Sequence, residues 1–192
     1  MNAKPIFSKH LARAIQFSHE LINQRLSTGG VAVDATVGNG HDTVFLANLV
    51  GETGTVIGFD VQQQAIENTQ DKTETLHQVQ LHQQGHETIS DVYTGPIDAA
   101  IFNLGYLPGA DKQIVTVAET TIIAVEAILT HLKPAGIVCI ILYTGHEGGK
   151  LEAKAIHEWT AQLDQEQYTA VTYQFINQKN NPPHLLAIER KK

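Results

Sequence analysis

Two acidic side chains and a pair of glycines are spaced as in a nucleotide-binding site. Asp34 follows the apolar residues 31–33 and precedes a loop that contains Gly38 and Gly40, and Asp60 ends the next apolar segment. Glycines let a ligand approach the backbone closely, and the helix after the loop presents free N–H groups. A strand, a glycine loop and a helix in this order predict a bound nucleotide, with an ordinary strand-to-helix turn as the alternative.

The charges and spacing of this loop favour a cationic nucleoside over a dinucleotide. The dinucleotide fingerprint needs Gly or Ala three residues after its second glycine, where this chain has Thr43. A carboxylate at Asp34 would repel a pyrophosphate, whereas Asp60 can accept both hydroxyls of a ribose. S-adenosylmethionine has ribose hydroxyls, an ammonium and a sulfonium but no phosphate. Asp60 therefore suits its ribose, and Asp34 suits its ammonium.

Two further loops carry polar side chains at the ends of predicted strands. The sequence GHE at residues 85–87 offers His86, which can stack on an adenine or hydrogen-bond its edge. The sequence NLGYLPG at residues 103–109 offers Asn103 and Tyr106 after an apolar segment. A surface histidine and a plain Gly/Pro loop are the respective alternatives.

Composition indicates a globular protein of ordinary size. The chain has 192 residues, of which 42% are hydrophobic and 17% charged, as in folded domains. No apolar run approaches the roughly 18 residues of a membrane span, and the N-terminus lacks a signal peptide's apolar core, so we expect a cytoplasmic protein without membrane contact. The single cysteine, Cys139, should be buried. His77, His82 and His86 straddle a predicted strand, so we expect no metal site; the oligomeric state, a homo-oligomer included, stays open.

The formal charge of −7 is unusual for a protein that binds nucleic acid, but it is unevenly distributed. Residues 1–33 and residues 176–192 each carry +3, which leaves −13 on residues 34–175. The basic ends are either frayed extensions of an acidic protein, or they lie beside one cavity mouth and contact phosphates there.

The elements that must position these loops alternate along the chain. Crossovers through helices imply a mostly parallel sheet, so the predicted fold class is α/β: a doubly wound, seven-stranded, Rossmann-like sheet with a C-terminal antiparallel hairpin. We expect one domain over residues 1–192, with an N-terminal helical segment (1–30) and a core (31–192), and ligands at the carboxyl ends of the strands. The periodicity predicts strands at 31–34, 54–60, 79–84, 97–104, 136–143, 168–176 and 184–191, and helices at 10–26, 42–50, 62–77, 120–132 and 148–163.

The sequence VDATVGNGHDT, followed by GFDVQ, resembles the motifs of the class I S-adenosylmethionine-dependent methyltransferases. The resemblance extends over residues 31–190 and implies the Rossmann-like methyltransferase fold, with S-adenosyl-L-methionine as the cofactor. The residues that it places at the cofactor are Asp34, Thr36, Gly38, Asn39, Gly40, His41, Asp42, Thr43, Asp60, Gln62, Gly85, His86, Asn103 and Leu104.

The segment NLGYLPG resembles the Asn-Pro-Pro-Tyr motif of amine-directed methyltransferases. In that motif the asparagine oxygen and a following carbonyl accept hydrogen bonds from the substrate nitrogen, and the tyrosine packs on the acceptor. The resemblance implies that Asn103 and Tyr106 are the catalytic residues. Leu104 and Gly105 stand where the motif has prolines, which makes this loop less rigid than in the motif.

Four segments together, DATVGNGHDT, FNLGYLPG, ETTIIAVE and FINQKNNPPHLLAIE, resemble a small bacterial group labelled ribosomal RNA methylases. Members of that group have been assigned as tRNA wobble-uridine methyltransferases, which convert 5-aminomethyl-2-thiouridine to its methylaminomethyl form. The resemblance therefore implies a tRNA anticodon loop as the partner. Alternatives are a methyltransferase of ribosomal RNA or of a small amine, and a non-catalytic nucleotide-binding domain.

No residue is required as a general base in such a reaction, although His19 and Tyr106 are candidates. An extruded wobble base needs a cavity entrance with aromatic side chains that stack on the base and basic side chains that bind nearby phosphates. The candidate substrate-binding residues are His19, Gly105, Pro108, Asn180, Asn181, Pro182 and Pro183.

Overall fold

Seven strands form a single sheet in a computed structural model that describes residues 10–105, 116–145 and 148–192. The strands are β1 (Val31–Asp34), β2 (Thr55–Phe59), β3 (Val79–His82), β4 (Ile97–Asn103), β5 (Leu132–Leu142), β6 (Tyr168–Tyr173) and β7 (His184–Arg190). The helices are α1 (Ala14–Asn23), α2 (His41–Val50), α3 (Gln63–Thr73), α4 (Ile89–Val92), α5 (Ala118–His131) and α6 (Gly149–Thr160), and a 3-10 turn covers His86–Thr88.

The strand order β3-β2-β1-β4-β5-β7-β6 confirms the doubly wound sheet. Strands β1 to β5 pair in parallel, whereas β7 runs antiparallel to both β5 and β6. The C-terminal hairpin is therefore confirmed as well. The chain leaves β1 toward β2 on one side, while β4 continues the sheet on the other, and a crevice for ligands opens at the carboxyl end of such a switch point.

Apolar side chains fill both faces of the sheet. Phe102 of β4 points into one core, which α5 and α6 cover, and the adjacent Ile101 points into the other, which α1 and α2 cover. Strands buried on both faces read as continuous apolar runs, which is why IDAAIFN shows no polar alternation. Cys139 lies in β5 and is buried, as expected.

Several element boundaries differ from the predicted ones. Helix α3 ends at Thr73, four residues early, and the short helix α4 was not predicted. Strand β5 begins at Leu132, because residues 133–136, which were expected to form a loop, form a bulge within the strand. Ala135 has a φ of 61°, and the pairing register between β4 and β5 shifts after Ile97. A bulge of this kind gives no apolar signal. In the described ranges, no helix combines the length and apolarity that crossing a membrane demands.

Of the two alternatives for the basic ends, the one that places both beside one mouth is contradicted for residues 190–192. Because β7 is antiparallel to β5, Arg190 lies at the amino-terminal edge of the parallel strands, where its guanidinium donates to the Leu132 carbonyl at 2.6 Å. Arg25 pairs with Glu189 at the same edge. The cationic side chains at residues 190–192 are thus directed away from the crevice.

Gly58 lies in β2 beneath the loop that follows β1. Because it has no side chain, Val37 of that loop can pack directly on the strand. A Cβ here would lie 2.6 Å from Val37 Cγ1 and 2.8 Å from Leu81 Cδ2. We predict that Gly58→Ala lowers the free energy of unfolding by about 1–3 kcal/mol through overpacking, as measured by urea denaturation. Gly145→Ala is the control, because its Cβ would meet nothing within 4 Å among the described residues. Equal losses in both variants would contradict the steric explanation.

Candidate active site

A cavity of about 500 Å³ opens at the carboxyl ends of β1, β2 and β4, where the switch in strand order predicts a ligand. Its volume is in the range of small-molecule sites. The predicted site residues that line it are Thr36, Gly38, Asn39, His41, Asp42, Asp60, Gln62, Gly85, His86, Asn103, Leu104 and Gly105. Asp34, Gly40, Thr43, His19 and residues 180–183 do not line it.

The glycine loop bends sharply over the sheet. Gly38 and Gly40 have φ of 50° and 76°, in the left-handed region that side chains disfavour. Gly40 also lets α3 approach, since a Cβ there would lie 3.0 Å from Thr69 Oγ1. Gly38 borders the cavity, and Gly40 instead starts α2 and packs on α3.

The structure does not support Asp34 as a direct partner of the cofactor ammonium. Its side chain is fully buried behind the loop, where its carboxylate accepts the Thr36 N–H at 3.2 Å and the Thr43 hydroxyl at 2.6 Å. Burial, and then the nearby Asp42, raise the pKa of Asp34 to about 7. Asp34 therefore holds the loop against α2, and Asp42 is the acid that borders the cavity.

Asp60 retains acceptor capacity toward the cavity. Its Oδ2 accepts the Gly38 N–H at 3.1 Å, and its Oδ1 accepts the Gln62 N–H at 2.9 Å. A carboxylate has about four acceptor positions, so two remain for a ligand. Burial raises the pKa of Asp60, while these two backbone hydrogen bonds oppose the rise.

His86 presents an acceptor nitrogen in a buried position. Its Nδ1 lies 3.0 Å from the Ala35 carbonyl, and because a carbonyl only accepts, Nδ1 carries the proton. The Nε2 atom is then an acceptor, and it is buried without a hydrogen-bond partner among the described residues. The ring stands edge-on to Phe102, and burial lowers the pKa of His86, which keeps it neutral.

Asn103 is fixed at the end of β4 by two hydrogen bonds. Its backbone N–H donates to Thr36 Oγ1 at 2.7 Å, and its side-chain Nδ2 donates to Asp42 Oδ2 at 3.2 Å. The other Asp42 oxygen contacts His19 Nε2 at 2.7 Å. His19 thus reaches this network from α1, although it does not border the cavity itself.

Two predicted substrate segments have different outcomes. Tyr106 and Pro108 lie outside the described residues, but the flanking Gly105 and Thr116 are joined by two hydrogen bonds of 3.0 and 3.1 Å. The loop with residues 180–183 precedes β7, whose first residues pair with the carboxyl end of β5. It therefore lies at the same edge of the sheet as the cavity without forming its wall.

The cavity is also lined by residues without a predicted role. Ala35, Val37, Val61 and Glu87 lie within the loops that the sequence singled out, whereas the residues that the sequence reasoning missed are Gln84, Thr116, Val117, Thr120 and Tyr143. Tyr143 directly follows β5, so the rule that ligands bind at the carboxyl ends of strands could have found it. Burial, and then Asp42, raise the pKa of its phenol, which therefore stays protonated. Thr116, Val117 and Thr120 follow an undescribed segment and gave no sequence signal.

No cluster of three or more His, Cys, Asp or Glu side chains is placed to hold a metal ion within residues 10–105, 116–145 and 148–192.

Sequence comparison matches the chain to a protein family and to curated relatives. A sequence model of the family described as "Putative rRNA methylase" matches residues 56–189. A chloroplastic tRNA (mnm5s2U34)-methyltransferase of Arabidopsis thaliana is 29% identical over 192 residues, which cover 93% of this chain and 70% of that protein.

Solved structures of similar proteins share the whole fold. A protein of Clostridium thermocellum described as a "putative rRNA-methylase" is 40% identical with a TM-score of 0.92, over 94% of this chain and 99% of that one. A "putative methyltransferase" of Streptococcus mutans, in complex with S-adenosylhomocysteine, is 42% identical with a TM-score of 0.87, over 94% and 99% of the two chains.

The raised pKa of Asp34 makes the stability of the protein depend on pH. Its pKa rises from 3.8 to about 7 on folding, so between these values the folded state binds the proton more tightly. Stability from this group is present at low pH and is lost as the pH rises toward 7. The wild-type protein should therefore lose unfolding free energy between pH 5 and pH 7.5. Asp34→Asn retains an acceptor but does not titrate, and we predict that this variant loses about 2 kcal/mol less over the same interval.

Urea denaturation at the two pH values measures this difference. Asp164→Asn is the control, since hydrogen bonds from Glu166 and Gln167 lower the pKa of this exposed carboxyl and keep it ionised over the whole range. A wild-type pH dependence that Asp34→Asn leaves intact would contradict the assignment.

Proposed function

We propose, from the premise that this chain belongs to the family described as "Putative rRNA methylase" and is an S-adenosylmethionine-dependent methyltransferase, that its substrate is the wobble uridine of a tRNA. The methyl acceptor is the amino group of 5-aminomethyl-2-thiouridine. The Arabidopsis relative, which is named for the methylated form of this nucleoside, mnm5s2U34, supports the choice.

The observation that carries the proposal is the orientation of the Asn103 amide. A carboxylate only accepts hydrogen bonds, so the contact with Asp42 requires the amide nitrogen of Asn103 to face it. The amide oxygen is then free at the cavity wall, with no hydrogen bond among the described residues. An acceptor at this point suits a substrate with N–H groups, and a primary amine provides them.

The described residues fit S-adenosylmethionine, which the protein uses as its cofactor. We assign the two free acceptor positions of Asp60 to the ribose hydroxyls. His86 Nε2, a buried acceptor, suits the exocyclic amine of adenine, which donates. We assign the methionine ammonium to the loop beside Asp42 in place of Asp34, because Asp42 borders the cavity and Asp34 does not.

These residues perform methyl transfer mainly by orientation. When bound, the cofactor supplies a methyl group that its sulfonium activates. The amine must arrive neutral, because an ammonium has no lone pair, and alkyl amines have a pKa of about 10.4 in water. A neighbouring cation disfavours a second one and so favours the neutral amine. Asn103 Oδ1 accepts an N–H and directs the lone pair at the methyl carbon; the C–N bond forms as the C–S bond breaks.

A wobble uridine is compatible with an acidic protein. The anticodon loop is single-stranded, so a splayed base can enter the cavity while only a few phosphates contact the surface. Basic side chains at this edge of the sheet include Lys150 in the first turn of α6 and Lys179 in the loop before β7. We propose that these side chains, rather than residues 190–192, meet the phosphates.

Nucleoside mass spectrometry tests the substrate. Total tRNA that carries 5-aminomethyl-2-thiouridine is incubated with the protein and S-adenosylmethionine, then digested. We expect this nucleoside alone to gain one methyl group, with heat-treated protein as the control. Methylation of ribosomal RNA in a parallel reaction, with the tRNA unchanged, would replace the proposed substrate by the one in the family's description.

Two variants should separate cofactor binding from methyl transfer. Asp60→Ala removes the ribose acceptor, and we predict at least about a 10-fold loss of S-adenosylhomocysteine affinity, since hydrogen bonds to charged groups contribute about 1.5–3 kcal/mol each. Asn103→Ala removes the amine acceptor, and we predict about a 100-fold lower single-turnover rate with affinity changed less than about 3-fold. Calorimetry and rapid-quench kinetics measure the two effects. Equal losses of affinity and rate in Asn103→Ala would take Asn103 out of the transfer step.

A further inference from the structure

Helix α1 contacts the candidate active site through the side chain of His19. His19 of α1 donates from Nε2 to Asp42 Oδ1 at 2.7 Å, across 23 positions of the chain. Its ring stacks on Phe45 of α2, with the centroids 3.9 Å apart and the planes 8° from parallel. The contact therefore combines a directional hydrogen bond with a flat packing surface.

Asp42 divides its carboxylate between two partners. Oδ1 accepts from His19, and Oδ2 accepts from the Asn103 amide at 3.2 Å. The Asp42 side chain is 9% exposed and that of His19 is 28% exposed. Because the first hydrogen bond fixes the plane of the carboxylate, it also fixes the direction from which the second oxygen can accept.

An asparagine amide does not select its own orientation. A half-turn about the last side-chain bond exchanges its oxygen and nitrogen at little cost unless neighbours distinguish them. The backbone of Asn103 is held by Thr36, but that contact does not distinguish the two ends of the amide. Among the described residues, the only hydrogen bond from this amide is the one to Asp42.

We propose that His19 and Asp42 are positioning residues that keep the Asn103 oxygen turned toward the methyl-accepting amine, so that α1 is part of the active site. This inference rests on the proposed function for the identity of the amine. It gives His19 a role through Asp42 rather than as a substrate-binding residue or a base. Misplacement of an acceptor by about 1 Å can lower a rate by about 100-fold, so the orientation matters to the chemistry.

Two substitutions at position 19 separate the hydrogen bond from the packing. His19→Phe keeps a ring to stack on Phe45 but cannot donate to Asp42. His19→Gln loses the stacked ring but keeps an N–H that can reach Asp42. We expect His19→Phe to lower the single-turnover rate at least about 10-fold, with little change in Tm. His19→Gln should stay within about 3-fold of the wild-type rate, with a lower Tm.

A merely structural role would give the opposite pattern. If α1 only packs against the sheet, the rate should follow Tm, and His19→Gln should be the slower variant. That result would overturn the proposal, as would equal rates in wild type and His19→Phe. S-adenosylhomocysteine affinity, measured by calorimetry, should fall less than about 3-fold in both variants, because Asp42 keeps its charge beside the ammonium while only the direction of its carboxylate changes. His131→Gln, at the far end of α5, is the matched histidine control.

A readout without substrate keeps this proposal separate from the proposed function. The side-chain NH2 signals of Asn103 can be recorded by ¹⁵N NMR and assigned by their absence in Asn103→Ala. We expect His19→Phe to shift these signals and His19→Gln to leave them nearly unchanged; no shift in either variant would overturn the positioning role. A wild-type protein that fails to methylate the tRNA but shows the expected shifts would overturn the proposed substrate alone.

Discussion

The rest of the site depends on the hydrogen bonds that the buried carboxylate of Asp34 accepts. A carboxylate removed from water is costly unless hydrogen bonds compensate it, and the backbone of Thr36 and the hydroxyl of Thr43 provide them. These bonds tie the end of β1, the loop and the first turn of α2 into one unit. Thr36 extends the unit further, since its hydroxyl accepts the backbone N–H of Asn103 on β4. A single buried acid therefore fixes both sides of the crevice.

The site built on this unit has two ends with different chemistry. At β2 and the turn after β3, Asp60 and His86 present acceptors that suit the donors of an adenosine. At β4, Asn103 and Asp42 border the cavity together with Tyr143, whose phenol is protonated. In the proposed function, the first end holds the nucleoside cofactor and the second aligns a methyl acceptor with N–H groups.

The charge distribution has a simpler meaning in the folded chain than along the sequence. The acidic side chains of the middle segment include Asp42 and Asp60, which border the cavity and suit a cationic cofactor. The basic C-terminus lies at the opposite edge, with Arg190 bonded to Leu132. A strongly negative net charge is therefore compatible with an RNA substrate, because only a few basic groups near the mouth need to meet phosphates.

The sequence alone determined the sheet, its hairpin and the crevice, because each depends on local periodicity and on the position of glycines and acids relative to strand ends. Asp60 and Asn103 were found for the same reason: each directly follows an apolar run. Only the tertiary structure decided which of two acids near the loop borders the cavity, since the positions of Asp34 behind the loop and of Asp42 at the cavity wall depend on how α2 packs. It also joined His19 to Asp42, 23 residues apart, and turned the basic C-terminus away from the crevice. Such contacts arise from the packing of separate elements, and no local pattern encodes them.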